Sequence, residues 1–198
     1  MLIAVDVDET IIKFIPYFLK WHNLTYGTSV KPTDLNNFDM GEKLGCPNGE
    51  YVDRIFEFYD TKIMKKLSPV PGAVESIHLL GEEHEIIALT ARTDYLEQIT
   101  QNSIDKYFRD SISDLYLTGE WVGKSDSNKA KICSERGVDL LVDDRPKYCY
   151  EAIEAGVKSI LFNLNGNYGW GDQEINKAGL YHANSWKEIV STIESINK

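Results

Sequence analysis

The chain is poor in cysteine: Cys46, Cys133 and Cys149 are scattered through 198 residues and form no pair or metal-binding spacing. That excludes a disulfide-stapled scaffold and a thiolate zinc site, and it fits a reducing compartment. Histidine is equally sparse. His22, His78, His84 and His182 stand far apart, so each reads as a surface or packing residue rather than a ligand. No apolar run approaches the roughly 18 residues of a membrane span. Asp6 and Asp8 break the N-terminal apolar run too early for a secretory signal, and a cytoplasmic location is expected. Basic residues are outnumbered, 21 Lys and Arg against 31 Asp and Glu, for a net charge of −10. Such a surface repels nucleic-acid backbone and anionic membranes, so neither long nucleic acid nor membrane is an expected partner. A small anion remains admissible, because a bound cation and one or two local basic groups override the mean field. Internal repeats and low-complexity tracts are absent.

What is present is an alternation of short apolar runs with amphipathic stretches. Met1 to Val5 reads as a strand buried on both faces, because a half-exposed strand would alternate. Further strands are expected at Ile86–Thr90, Ser113–Thr118, Val138–Val142 and Val157–Phe162. Helices are expected from Ala73 to Gly81, after Asp94, from Lys129 to a stop at Gly137, after Pro146, and from a Ser185-x-x-Glu188 capping box onward. This order predicts an α/β fold, a doubly wound parallel sheet with helices on both faces. Residues 11–68 differ in character. They carry two apolar stripes at helical spacing, around Phe14–Trp21 and Val52–Leu67, with no strand pattern. Pro69-Val-Pro71-Gly72 then punctuates the chain. The domains expected are a core of residues 1–10 and 69–198 and a helical insertion of residues 11–68.

Polar groups recur where strands end. Asp6 and Asp8 follow the first run, Thr90 ends the second, and Asp143-Asp144 follow the fourth. An Asp after one strand is ordinary turn or cap chemistry. Recurrence after several strands, at the edge where open parallel sheets bind ligands, is not explained that way. Carboxylates crowded in a half-buried place cannot all ionise cheaply, and a hard cation such as Mg²⁺ suits their oxygens. Thr90 and Ala91, followed by a helix start, form a usable phosphate cradle. Gly119-Glu-Trp-Val-Gly123-Lys124-Ser125 is not a phosphate-binding P-loop, because three residues separate its glycines where that motif needs four.

The order Asp6-x-Asp8-x-Thr10, then Thr90, then a lysine, then Asp143-Asp144 resembles the haloacid-dehalogenase-like phosphohydrolases. The resemblance implies Asp6 as nucleophile, forming an aspartyl-phosphate, and Asp8 as general acid and base. It implies that Thr90 and Ala91 hold the phosphate and that a lysine neutralises it. Lys129 is favoured, with Lys131 and Lys124 nearby. Mg²⁺ is expected on Asp6, Asp143 and the backbone carbonyl of Asp8, with Asp144 as their outer partner; Asp143 and Asp144 can exchange these roles. Within the superfamily, the dehalogenases lack the second Asp of the motif, so Asp8 favours phosphate-ester hydrolysis. The physical logic agrees, since phosphoryl transfer needs positioning and charge stabilisation more than covalent chemistry.

More narrowly, the chain is similar to the 5′(3′)-deoxyribonucleotidases. It shares the aromatic segment after the first motif, the Pro-Gly step into the next helix and the terminal Ser185-Trp186 helix. Glu9 stands where those enzymes commonly carry glycine. The resemblance implies a helical cap over a small phosphorylated substrate, a nucleotide. Phe14, Phe18, Phe38, Phe56 and Tyr59 are candidates to stack on its base. Other readings are a phosphatase of another small phosphoester or of a nucleic-acid 3′-phosphate, or a module that is phosphorylated or binds ligand without turnover. Receiver domains share the acid pair, hydroxyl and lysine, but their lysine follows the last strand and they have no helical cap.

Overall fold

The computed structural model describes residues 1–35, 40–46, 49–120, 128–169 and 177–197. The apolar runs form strands β1 (Leu2–Val5), β2 (Glu85–Thr90), β3 (Asp114–Leu117), β4 (Leu140–Asp143) and β5 (Lys158–Phe162). A further strand, β6 (Leu180–Ala183), was not legible in the sequence. It is four residues long at the sheet edge, with His182 exposed, so it carries neither an apolar run nor a clean alternation. All pairings are parallel, in the order β3-β2-β1-β4-β5-β6.

The strand pleat divides the core. Ile3, Val5, Ala88, Leu140 and Val142 face the side covered by α4 (Ala73–Gly81), α5 (Glu97–Tyr107) and α8 (Trp186–Ile196). Ala4, Ile87, Leu89 and Leu141 face α6 (Lys129–Arg136) and α7 (Pro146–Glu154). This is the expected doubly wound sheet. Caps set the helix ends. The Asn128 side chain accepts the Lys131 N–H at the start of α6, and Gly137, with φ of 68°, ends it in the left-handed conformation. The Ser185 hydroxyl accepts the Glu188 N–H at the start of α8.

Between β1 and β2 the chain forms α1 (Ile15–Tyr26), α2 (Met40–Lys43) and α3 (Glu50–Tyr59), with single 3₁₀ turns at Pro32–Asp34 and Met64–Lys66. The chain leaves and returns through adjacent segments. Ile12 bridges Pro69, the Lys13 N–H donates to the Ser68 carbonyl at 2.9 Å, and the Val70 N–H donates to the Ile11 carbonyl at 2.9 Å. The second apolar stripe therefore splits at Asp60 into α3 and a separate turn. On α3 the buried face is Arg54, Ile55 and Phe58.

Phe18 lies at the centre of the helical packing. It is fully buried and stacks on Phe14 with centroids 5.8 Å apart, with Phe58 at 5.6 Å and Trp21 at 6.1 Å. Phe18→Ala is expected to destabilise the protein by about 3–5 kcal/mol, the usual cost of a large buried aromatic. Phe56→Ala, at a half-buried position, should cost clearly less; urea unfolding of both variants checks the difference.

Candidate active site

The chain runs from β1 out to β2 and β3 on one side, then crosses to β4 on the other, so the carboxyl end of β1 lies at the topological switch point. Asp6 follows β1 directly, and its N–H donates to the Val142 carbonyl of β4 at 2.9 Å. Thr90 ends β2 and Asp143 ends β4, the two strands flanking β1. Residues far apart in sequence are thereby brought to one edge.

Lys129, the first residue of α6, is 1% exposed and reaches into this edge. Its Nζ donates to Asp6 Oδ1 at 2.5 Å and to Asp143 Oδ2 at 2.6 Å, and lies 4.4 Å from the centroid of the Tyr148 ring. Burial disfavours its charge, but Asp143 and Asp6 more than restore it, and its pKa lies above the ordinary lysine value. Lys131 is exposed on the same helix, and Lys124 lies outside the described residues.

Asp143 is fully buried and both its oxygens are engaged, Oδ2 by Lys129 and Oδ1 by the Arg145 N–H at 2.9 Å. Asp144, by contrast, lines the open cavity beside Asp6. One carboxylate oxygen from each of Asp6, Asp143 and Asp144 falls within a cluster 4.8 Å across. Burial pushes Asp6 up to about 7 against the pull of Lys129, with Asp143 and Asp8 adding to the rise. Burial, then Asp6 and Asp143, raise Asp144 well above the usual carboxylate range. One ammonium does not balance three buried carboxylates, and an all-oxygen donor set of this kind fits a hard divalent cation.

A cavity of about 340 Å³ opens over this cluster. On the sheet side it is lined by Asp6, Asp8, Thr90, Ala91, Arg92 and Asp144. On the helical side it is lined by Phe14, Ile15, Met40, Tyr51, Ile55 and Tyr59, and Glu120, Arg145, Lys147 and Tyr148 complete its wall. Of the aromatic candidates, Phe14 and Tyr59 reach it. Phe18 does not, because its ring is enclosed by Phe14, Trp21 and Phe58. Phe56 does not line it either. Tyr51, Ile55 and Tyr59 follow each other at i, i+4 and i+8 on α3, and Phe56 is turned by about 100° from that line. Its ring packs between Tyr59 at 5.6 Å and Tyr95 at 6.5 Å. Phe38 lies outside the described residues.

Two buried groups were not picked out by sequence pattern. Arg92, with the look of an exposed helix-start charge, is 4% exposed and donates from Nε and Nη2 to the two oxygens of Asp8 at 2.9 and 2.6 Å. Its only signal was its place two residues after Thr90. Glu9 has φ of 62°, a left-handed conformation that side chains rarely adopt and that glycine adopts without strain. Its carboxylate accepts the Phe14 and Ile15 N–H groups at 2.6 and 2.5 Å and the Tyr168 hydroxyl. The start of α1 has no local side-chain cap, so Glu9 supplies one from outside the helix.

A doubly wound parallel sheet with a lysine-bridged aspartate cluster at the end of its first strand defines a haloacid-dehalogenase-like hydrolase. Solved structures agree on the fold. A hydrolase of this family from Deinococcus radiodurans R1, with bound phosphate and sodium, superposes with a TM-score of 0.68 at 10% identity, over 99% of this chain and 96% of that one. The "putative HAD-hydrolase YfnB" from Bacillus subtilis, bound to magnesium, gives 0.62 at 12% identity over 98% of each chain. In sequence, the chain is 29% identical over 192 residues to the "Putative nucleotidase YqfW" of Bacillus subtilis (strain 168), covering 95% of this chain and 91% of that one. Residues 1–197 match the family described as 5′ nucleotidase, deoxy (pyrimidine), cytosolic type C protein. The chain belongs to that family and is a haloacid-dehalogenase-like phosphomonoester hydrolase.

The buried Glu9 carboxyl gives the fold a pH dependence. Burial pushes it up to about 7 from 4.5 although three donors hold it. Below pH 4.5 folded and unfolded chains both carry the proton. Between 4.5 and about 7 the folded chain alone retains it, so stability falls as pH rises through this window, by about 2–3 kcal/mol from Glu9. In EDTA, urea unfolding at pH 5 and pH 8 should show this fall. Glu9→Gln, which keeps an acceptor for α1, should remove that share of it.

Proposed function

We propose that this chain is a cytoplasmic, Mg²⁺-dependent phosphatase of nucleoside monophosphates that works through an aspartyl-phosphate on Asp6. The observation that carries the reading is the Lys129 ammonium between Asp6 and Asp143, with Asp144 beside them at the floor of the cavity. Asp6 presents one oxygen to Lys129, and its side chain borders the cavity with the other available to a phosphorus atom. A carboxylate needs no base to act as nucleophile at neutral pH once cations hold it ionised.

In the first step an Asp6 oxygen bonds to phosphorus and the bond from phosphorus to the ester oxygen breaks. The electron pair goes to that oxygen, which takes a proton from Asp8 and leaves as the nucleoside. In the second step a water gives its proton to Asp8 and its oxygen bonds to phosphorus. The bond to Asp6 breaks, releasing phosphate, freeing the Asp6 carboxylate and leaving Asp8 protonated as at the start. Thr90 and Ala91 hold the phosphoryl group. The Thr90 hydroxyl accepts the Arg92 N–H at 3.2 Å, which leaves its own proton to donate to a phosphoryl oxygen.

Asp6, Asp144 and the backbone carbonyl of Asp8 would hold Mg²⁺, and Asp143 serves chiefly to hold Lys129. This exchanges the parts expected for the two adjacent aspartates, on the ground that Asp143 already has both oxygens occupied. The cation supplies charge neutralisation for the phosphoryl oxygens. Residues 11–68 act as a cap over the site. Their aromatic wall, Phe14 and Tyr59, offers rings for a nucleobase. The cavity is in the range of small-molecule sites and suits a mononucleotide, not a polymer.

Phosphate release from 5′- and 3′-nucleoside monophosphates, ribo and deoxy, with Mg²⁺ or EDTA, tests the reading. Mg²⁺-dependent turnover is expected, and Asp6→Asn should lower kcat by about 10³-fold or more. Asp144→Asn should raise the Mg²⁺ concentration needed for half activity more than Asp143→Asn does. A preference for sugar phosphates over every nucleotide would keep the chemistry and reject the substrate.

A further inference from the structure

We infer that Arg92 is a positioning residue that aims the Asp8 carboxylate at the leaving group, with Thr100 on α5 fixing the guanidinium in turn. The inference rests on the acid–base part proposed for Asp8.

The geometry is that of a clamp. Arg92 Nε and Nη2 donate to separate oxygens of Asp8, a parallel two-point contact that fixes the carboxylate plane as well as its distance. The third nitrogen, Nη1, donates to Thr100 Oγ1 at 2.7 Å, and Thr100 is fully buried. The backbone is held as well. The Arg92 N–H donates to Thr90 Oγ1 at 3.2 Å, and the Arg92 carbonyl accepts the Gly119 N–H at 3.0 Å. Every nitrogen of the guanidinium is engaged by Asp8 or Thr100, so Arg92 is built to hold a carboxylate rather than to bind phosphate. The Arg92 side chain is 3% exposed while that of Asp8 is 30% exposed, so the clamp grips from behind and leaves the carboxylate facing the cavity.

The chemistry requires this. A general acid acts only within hydrogen-bond reach of the leaving oxygen. Asp8 follows β1 by three residues, beyond the last residue that pairs with β4, and its backbone has a single bridge to Ile12, which leaves its side chain to be oriented by other contacts. A guanidinium only donates, so a protonated Asp8 keeps one oxygen on Arg92 and turns its O–H, the one direction Arg92 does not occupy, toward the substrate.

The test is the leaving-group dependence of kcat/KM, which reports steps through the first phosphoryl transfer. The substrates are a nucleoside monophosphate, phenyl phosphate and 2,4-dinitrophenyl phosphate; the first needs a proton on its leaving oxygen and the last does not. In Arg92→Gln, kcat/KM is expected to fall by about 10²-fold on the nucleotide and by less than about 5-fold on the dinitrophenyl ester. Thr100→Val, which keeps every charge, should show the same pattern at about 3–10-fold and guards against a misfolded Arg92→Gln. Asp8→Asn is the reference. In that background Arg92→Gln should cost nothing further on the nucleotide, since residues that act as a unit are not additive. Equal losses on all three substrates in Arg92→Gln and Thr100→Val, with Asp8→Asn still leaving-group dependent, would overturn the clamp and leave the acid intact. Equal losses in Asp8→Asn itself would overturn the acid, and the clamp with it.

Discussion

The Lys129 ammonium between Asp6 and Asp143 is the contact on which the site depends. Lysine is almost never fully buried unless paired, and here it is paired twice. The pairing needs β1 beside β4, α6 starting at the sheet edge, and the Asn128 cap to set that start. Without Lys129, Asp6, Asp143 and Asp144 would crowd a buried place with no positive charge. With it, they still carry more negative charge than one ammonium balances, and that excess of charge on oxygen donors suits a divalent cation at the floor of the cavity. One ion pair thus links the sheet topology to the electrostatics of phosphoryl transfer.

A second constraint joins the helical insertion to the sheet. Residues 11–13 and 68–70 run side by side, so the chain leaves and rejoins the sheet at one place, and the insertion lines the cavity over the edge where the aspartates meet. Glu9 reinforces the join from the motif itself, since its carboxylate receives the first N–H groups of α1 and the hydroxyl of Tyr168. A glycine at this position would relieve the backbone but leave the start of α1 without its acceptor. The loop that carries Asp8 is therefore coupled to the helix that carries Phe14 and Ile15 into the cavity. Its other side is held by Arg92, so both walls of the site meet at the first motif.

Much of this was legible beforehand. The buried runs and the strand-end positions of Asp6, Thr90 and Asp143 follow from local pattern, because a strand buried on both faces has few ways to be written. Lys129 was favoured over Lys131 and Lys124 for its place at a helix start, and it is the one the fold buries between Asp6 and Asp143. The edge strand β6 was not legible, being short and half exposed. Phe18 and Phe56 looked like cavity residues because periodicity names an apolar stripe without saying which part of it meets a ligand.

By itself the sequence determined the fold class and the order of the chemical groups, since these rest on local periodicity and on residue types at strand ends, while the kind of reaction came from the resemblance of that order to a known family. Only the tertiary structure decided how those groups are shared out. Asp143 is bound up with Lys129 and the Arg145 N–H while Asp144 faces the cavity, and Arg92 turns inward to Asp8 instead of outward to water. Two adjacent carboxylates are identical in a sequence. They differ only when the direction of the strand, the start of a helix and the reach of a distant lysine set one against that lysine and the other on the cavity wall.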